Sequence, residues 1–176
     1  MGRRGVMSGR TGDTPPDGRI CEKGFIDGSI TMTVGAVLKS KGGGGVVSVE
    51  PSATIHEIAE IIASRRIGAV LVLTDTGNVA GIVSERDVVK ALAGHREAAL
   101  SMRADALMTR NVTTVTSSTT VVEAMNIMDA GYFRHLPVVN NGRLDGIISI
   151  RDLVKFRIML HEQDLDMMKA YIARMV

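Results

Sequence analysis

Two stretches of the chain place a hydroxyl, a cation and a carboxylate at the same spacing. The first stretch, residues 81–92, reads GIVSERDVVKAL, and the second, residues 146–157, reads GIISIRDLVKFR. A carboxylate can accept hydrogen bonds from both hydroxyls of a ribose, while a hydroxyl, a guanidinium and the free amides of a helix start can hold phosphate. The pattern therefore predicts a nucleotide site at each stretch. The polar residues concerned are Ser84, Arg86, Asp87, Ser149, Arg151 and Asp152.

The same pattern also has a purely structural interpretation. A serine followed three residues later by an acid is an ordinary helix N-cap, which contributes ~1 kcal/mol without any ligand. An isolated Ser-x-x-Asp is more often a cap than a binding site. Binding is favoured here because both copies carry an arginine that a cap does not require, and both use serine. Capping and binding are compatible, since one part of the motif can cap while the rest faces a cleft.

The two stretches belong to a tandem duplication. Val49 aligns with Val115 and, after one deletion in a turn, Gly81 aligns with Gly146. Each copy reads as a short β-rich run, a helix begun by a capping box, two strands joined by turn residues, and a second helix. We therefore expect a mixed α+β fold in which two β-α-β-β-α repeats pack through their sheets about a pseudo-two-fold axis.

The sequence divides into four predicted segments. Residues 1–31 are rich in Gly, Arg, Asp and Pro and lack periodicity, so we expect a loosely ordered extension there, with Met32 as an alternative start. Residues 32–97 and 98–160 hold the two copies. Residues 161–176 are predicted to form an amphipathic helix whose apolar side chains would pack against another surface of the chain or of a second subunit.

Composition argues against several classes of function. A net charge of +2 is too small to indicate a nucleic-acid or membrane surface, and no apolar run approaches the ~20 residues that span a bilayer. The single cysteine, Cys21, fits a reducing compartment, and the N-terminus lacks the apolar segment of a signal peptide, so we expect a cytoplasmic protein. No Cys, His or acidic cluster has metal-ligand spacing, so we expect no metal.

The two Gly-hydrophobic-x-Ser-x-x-Asp stretches, supported by Phe-Arg-His-Leu-Pro-Val-Val at residues 133–139, resemble a tandem pair of CBS domains, the Bateman module. No catalytic domain is attached, so the chain looks like the stand-alone bacterial members. The resemblance implies regulatory binding of AMP, ADP or ATP, with NAD as a further candidate, in the clefts between the copies. It also implies a homodimer and a regulated protein that the sequence does not identify.

By this resemblance, each nucleotide lies between the Ser-x-x-Asp motif of one copy and the strand entrance of the other. The first site would contain Ser84, Arg86, Asp87, Ile82, Thr109, Val112, Phe133, Arg134 and His135. The second site would contain Ser149, Arg151, Asp152, Ile147, Val46, Val47, Ile67, Gly68 and Ala69. The first site gains phosphate partners in Arg134 and His135. The second has Gly68 and Ala69 at these positions, which leaves room for a bulkier ligand such as a dinucleotide.

Two other functions stay open at this point. One is a structural dimerisation module with empty clefts, which the two cleft carboxylates disfavour. The other is an accessory fragment related to inosine-monophosphate dehydrogenase. No general base stands beside a nucleophile in the repeats, so we expect neither enzyme activity nor a catalytic cofactor. A homodimer is also expected from the apolar surface of the two helices that follow the motifs. The side chains concerned are Val88, Val89, Leu92, Leu153 and Phe156.

Overall fold

The computed structural model describes residues 32–42 and 45–173. The predicted extension, residues 1–31, lies outside the described residues. Within the described ranges the chain forms six α-helices, a 3-10 helix and five strands. In chain order these are α1 (Val34–Ser40), β1 (Ser48–Val49), α2 (Ile55–Arg65), β2 (Ala69–Leu73), β3 (Val79–Ser84), α3 (Glu85–His95), the 3-10 helix (Arg96–Ser101), α4 (Ala104–Leu107), α5 (Val121–Ala130), β4 (His135–Asn140), β5 (Arg143–Ser149) and α6 (Ile150–Ala173).

Each copy of the duplication contributes one small sheet. In the first copy, β2 lies between β1 and β3, parallel to β1 and antiparallel to β3. In the second copy, β4 and β5 form an antiparallel pair. At the turn between them, Asn141 and Gly142 have φ angles of 50° and 77°, and two positive values in succession are what a type I′ hairpin turn requires. The mixed α+β fold predicted from the repeat pattern is confirmed.

The first strand of the second copy is shorter than the sequence predicts. The β-rich run at residues 112–115 is reduced to one parallel bridge between Val115 and Val138. The Val115 amide donates to the carbonyl oxygen of Pro137 at 3.0 Å. The pairing ends there because the next residues form a turn, in which the Thr119 hydroxyl accepts from the backbone amide three residues earlier at 3.1 Å.

The predicted capping boxes begin α2 and α5. The Thr54 hydroxyl accepts from the Glu57 amide at 3.2 Å, and the Glu57 carboxylate accepts from the Thr54 amide at 2.7 Å. Thr120 and Glu123 exchange the equivalent bonds at 3.1 and 2.9 Å. Hydrogen bonding to the threonine backbone holds the pKa of both glutamates below its ordinary value. Both helices therefore start where the sequence predicts.

The sequence patterns did not predict helices α1 and α4. Each of these helices packs against the core of the other copy. α1 lies at the start of the segment that holds the first copy, but its Val34 and Val37 are buried in the core of the second copy. α4 lies near the start of the segment that holds the second copy, but its Ala104 is buried in the core of the first. The Val34 amide donates to the Thr119 carbonyl at 2.8 Å, and the Ala104 amide donates to the Ala53 carbonyl at 2.7 Å. This reciprocal exchange ties the two copies together.

Helix α6 is continuous from Ile150 to Ala173, so the helix predicted at residues 161–176 is its second half. Three of the five apolar side chains expected at a dimer surface face the cores instead: Val88, Leu153 and Phe156 are buried. Val89 and Leu92 are exposed. None of the helices among the described residues combines the length and apolar character needed to cross a membrane.

Candidate functional site

The first cleft is built around the cap of α3. The Ser84 hydroxyl accepts from the Asp87 amide at 3.4 Å. The Asp87 carboxylate accepts from the Ser84 amide at 2.9 Å and from the Ser84 hydroxyl at 2.6 Å. All these bonds to the carboxylate use Oδ2. Asp87 therefore caps the helix with one oxygen, and no hydrogen bond within the described residues uses the other, which can still accept from a ligand.

A cavity of about 290 Å³ opens beside this cap and is lined by residues of both copies. All nine residues predicted for the first site line it, and so do six that were not predicted there. The additional residues are Gly68, Lys90, Asn111, Thr113, Gly131 and Tyr132. Small-molecule pockets usually have volumes of roughly 300–1,000 Å³. The cavity is therefore close to the lower end of that range.

Positive charge dominates the cavity lining. Arg86, Lys90 and Arg134 supply three cations, against the single carboxylate of Asp87. The Arg86 guanidinium also donates to the Tyr132 carbonyl in the other copy at 3.0 Å. Arg86 thus has a structural use that the sequence did not reveal, because it joins the two walls of the cleft. A cavity with this balance of charge favours an anionic ligand.

His135 lies where the two copies meet. A side chain added at Gly68 would strike its imidazole ring, with the Cε1 atom 2.8 Å from the added carbon. Burial, reinforced by the neighbouring Arg134, holds the pKa of His135 below its ordinary value, although the Asp152 and Glu85 carboxylates oppose this. His135 is therefore biased towards the neutral form, which can donate one hydrogen bond and accept another.

Lys90 is the cavity residue that sequence reasoning should have found. It stands four residues after Arg86 and three after Asp87, a spacing that returns to the same face of a helix. It also recurs in the second copy as Lys155.

Gly131, another residue that lines the cavity, was harder to predict from the sequence. A side chain there would collide with the ring of Phe133, so the glycine allows that ring to lie beside the cavity.

The second cleft repeats the cap but not its surroundings. The Asp152 carboxylate accepts from the Ser149 amide and hydroxyl, both at 2.8 Å. Lys41, which follows α1, brings its Nζ within 2.8 Å of Asp152 Oδ2 and 3.1 Å of the Ile147 carbonyl oxygen. Burial would raise the pKa of Asp152, but hydrogen bonds from Lys41 and Ser149 outweigh it and hold that pKa below its ordinary value. The second carboxylate already has a cation.

Lys41 is available to the second cleft because one connection is longer than its counterpart. Fifteen residues separate Val34 from Val49, whereas eleven separate the equivalent Ala104 and Val115. The added length includes Lys41 and the glycines after it. The sequence shows the glycine run, but only the exchanged position of α1 shows which cleft the lysine reaches.

Apart from Arg151, the other residues predicted for the second site lie in the first copy, as the prediction of a site between the copies requires. Val47 and Ile67 pack against the first core, Ala69 pairs with Ser84 across β2 and β3, and Gly68 lines the first cavity. Val46 is half-buried, and Arg151 is exposed at the start of α6.

A larger groove, of about 650 Å³, runs beside α2. Glu50, Glu57 and Glu60 line it, and no lysine or arginine does, so it suits an anionic ligand poorly. Across residues 32–42 and 45–173, no three His, Cys, Asp or Glu side chains come together as a metal-ion site would require. The first cleft is thus the strongest candidate site.

Two copies of a strand-and-helix repeat, each with a capped helix start beside a cleft, define a tandem-repeat module. The sequence family described as CBS domain matches residues 44–94 and 104–158. The chain belongs to the CBS domain family. A curated relative, an uncharacterized 17.7 kDa protein of Acidianus ambivalens, is 39% identical over 117 residues, which are 66% of this chain and 70% of that protein.

Solved structures show the same fold. The CBS-domain-containing protein of Agrobacterium tumefaciens is 43% identical, with a TM-score of 0.71, over 76% of this chain and 98% of the other. A CBS domain protein of Pyrobaculum aerophilum, solved in complex with AMP, is 32% identical, with a TM-score of 0.64, over 74% of this chain and 97% of the other. These relatives are CBS-domain proteins, and the Pyrobaculum protein holds AMP.

Proposed function

We propose that the chain is a regulatory module that binds an adenine nucleotide in the first cleft and passes the occupancy of that cleft to a partner protein. The observation that carries the proposal is the cavity lining, in which three cations and one capping carboxylate from both copies converge. Such a lining matches a ligand with a phosphate at one end and a diol at the other. The AMP complex of the Pyrobaculum relative supports the class of ligand.

Each group has a role in this proposal. The Asp87 carboxylate, through its free oxygen and its capping oxygen, accepts hydrogen bonds from the ribose hydroxyls, because a carboxylate can accept two hydrogen bonds at once. Arg134 and Lys90 hold the phosphate, with His135 as a further donor. The adenine lies on the apolar side, against Ile82 and Val112. The volume of about 290 Å³ favours a single nucleotide such as AMP or ADP over a dinucleotide such as NAD.

The second cleft is proposed as the weaker site. Its carboxylate is already paired with Lys41, so a ribose diol must displace an ammonium group there or share the carboxylate with it. A ligand with more phosphate, such as ATP, would gain from the same lysine.

We further propose that the chain acts without catalysis, as a cytoplasmic homodimer whose partner reads the bound state. Of the hydroxyls that line the cavity, that of Ser84 is the only one hydrogen-bonded to a carboxylate or imidazole among the described residues, and it donates to Asp87 within the cap. Binding closes the cleft on both copies at once, because its walls come from both. A change in the angle between the copies is the signal that a partner could read.

Calorimetric titration of the full chain with AMP, ATP, NADH and S-adenosylmethionine tests the proposal. Of these four ligands we expect AMP to bind most tightly, and Asp87→Asn to weaken that binding roughly tenfold to a hundredfold. The reason is that charge-assisted hydrogen bonds are worth about 1.5–3 kcal/mol each. Asp152→Asn is the matched control, with the same cap in the other cleft, and should change the tighter affinity little. Thermal unfolding should show that both variants stay folded.

Three results would count against the proposal. If none of the four ligands binds, the clefts are empty and the module is structural. If S-adenosylmethionine alone binds, the ligand class is wrong. If affinity is the same in both Asp→Asn variants and the wild-type chain, the two motifs are helix caps only.

A further inference from the structure

The second half of α6 lies apart from the rest of the described chain. Leu153 and Phe156 bury the start of this helix in the second core, but every residue from 161 to 173 is exposed. An isolated helix shorter than about 12–15 residues is marginal in water, because helices in proteins depend on packing of one face. A segment of this length that carries apolar side chains needs a covering surface.

Five of the exposed apolar side chains of α6 follow a heptad spacing, whereas Met159, Met167 and Tyr171 lie off it. Starting at Val154, the positions advance by four and three residues alternately, and five of the six are apolar. They are Val154, Ile158, His161, Leu165, Met168 and Ile172. We call these six residues the α6 stripe. Leu165, Met168 and Ile172 are 57%, 65% and 58% exposed. A repeat of 3.5 residues is the pattern by which one helix packs along another.

The α6 stripe faces away from the body of the protein. At 100° per residue it is centred more than a quarter turn from Leu153 and Phe156, which bury the opposite side of the helix. The helix can therefore receive a second helix without losing its contact with the second core. Along the axis the stripe extends about 27 Å at 1.5 Å per residue.

The charges beside the α6 stripe decide which partner fits. Arg157 and Glu162 flank it five residues apart, and so do Asp164 and Lys169. In a parallel, in-register pair of identical helices, residues five apart on opposite edges of the seam face one another. Arg157 would then face Glu162 of the other helix, and Asp164 would face Lys169, each pair twice by symmetry. Lys169 is free to do so, since its present contact with Asp166 is an exposed pair at 3.6 Å.

In an antiparallel pair that overlaps along the whole stripe, like charges face one another instead of opposite charges. This arrangement places Glu162 against Glu162 and Asp164 against Asp164 of the second helix, and like charges at these positions disfavour pairing. Charge complementarity therefore selects the parallel arrangement of two copies of this chain. His161 fits as well, because one polar residue in an apolar seam fixes the register of a coiled coil at some expense of stability.

We propose that the α6 stripe pairs in parallel with the same stripe of a second copy, so that α6 is the dimerisation helix of the protein. The seam lies beyond the clefts and does not depend on the nucleotide, so its failure would leave the proposed ligand site untouched. Because the same helix starts at the Ser149–Asp152 cap, the seam connects the second clefts of the two copies.

Two adjacent methionines provide a matched test by sedimentation equilibrium of the full chain. Met168 lies in the stripe and Met167 lies off it, with exposures of 65% and 63%. Met168→Glu should raise the dimer dissociation constant by at least about tenfold, and Met167→Glu should not. His161→Leu should tighten the dimer, since it removes the polar interruption. Circular dichroism melts check that each variant stays folded.

Charge reversal and cross-linking test the orientation. Arg157→Glu or Glu162→Arg alone should weaken the dimer, and the two together should restore it. In a Cys21→Ser background, Ile172→Cys should form a disulfide between copies, because a residue in a parallel in-register seam meets its own equivalent. Cross-linking of a Val154→Cys, Ile172→Cys double variant between unlike positions would show an antiparallel pair instead.

The proposal is overturned by a wild-type chain that is monomeric at about 100 µM, roughly the limit at which a weak homodimer matters. It is also overturned by equal dissociation constants for Met167→Glu and Met168→Glu. A monomer that Met168→Glu destabilises would mean that the chain itself covers the stripe.

Discussion

The two clefts begin with the same cap and differ in what surrounds it. In both, a serine amide and hydroxyl donate to an aspartate oxygen at 2.6–2.9 Å. At the first cleft, no cation among the described residues is paired with the carboxylate, and Arg134 and Lys90 line a cavity beside it. At the second, Lys41 sits on the carboxylate at 2.8 Å. The two copies thus share the helix start and differ in the residues around it, and we expect any difference in ligand binding to follow from those residues.

The largest expected effect comes from removing the cation that only the first cleft has. Arg134→Ala should weaken AMP binding roughly tenfold to a hundredfold, because a charge-assisted hydrogen bond to phosphate is worth about 1.5–3 kcal/mol. Arg66→Ala is the matched control, since Arg66 is an exposed arginine close to the equivalent place in the first copy. Calorimetry measures the AMP affinity of both variants. If the clefts are equivalent, both variants should lose the same affinity, and if they are not, only Arg134→Ala should lose affinity.

The second effect concerns how tightly the backbone is packed at Gly81 and at Gly146, the equivalent glycines that precede the two capped helices. A methyl group at Gly81 would lie 2.9 Å from the Thr109 carbonyl oxygen and 2.6 Å from Met108 Sδ. At Gly146 the nearest atom is a terminal Leu38 methyl, at 2.9 Å. Gly81→Ala should lower the free energy of unfolding by about 1–3 kcal/mol, because backbone cannot move aside as a side chain can. Gly146→Ala should cost clearly less in urea unfolding, and equal costs would contradict this distinction.

The smallest effect concerns the ion pair of the second cleft. Lys41→Met should lower the free energy of unfolding by less than about 1 kcal/mol at neutral pH, because the pair is partly exposed. The pKa of Asp152 is lowered in the folded state, so its contribution is present above the unfolded value of about 3.9 and fades as the pH falls through the folded value.

Urea unfolding at pH 7 and at about pH 3 measures this contribution. The wild-type chain and Lys41→Met should differ at pH 7 and converge in acid. A difference that stays constant with pH would mean that the lysine acts through packing and not through its charge.

Much of the fold was predictable from local signals. The capping boxes at Thr54 and Thr120 and the turn at Asn141 and Gly142 depend on residues close together in the chain, and each lies where the sequence placed it. The exchange of α1 and α4 was not predictable in this way. Short helices have little periodicity, and their packing partners lie in the other copy, so only long-range burial determines where they go.

The residues of the candidate site also divide into those that local sequence patterns predict and those that depend on long-range packing. The cap residues and the strand entrance were found because they recur in the duplication, and the structure brings all nine residues named for the first cleft to one cavity. Lys41 was missed because nothing equivalent exists in the second copy. Its partner Asp152 is distant in sequence, and the contact depends on the exchanged α1. The residues named for the second cleft stay a prediction, although Gly68, one of them, lines the first cavity.

A crystal structure of the full chain grown with AMP tests the central claim most directly. We expect one well-occupied nucleotide in the first cleft, with the ribose hydroxyls hydrogen-bonded to the Asp87 carboxylate and the phosphate within hydrogen-bonding distance of Arg134. We also expect that Lys41 keeps its contact with Asp152 at AMP concentrations that fill the first cleft. AMP bound beside Ser149 and Asp152 with the first cleft empty, or AMP bound outside both clefts, would contradict the account.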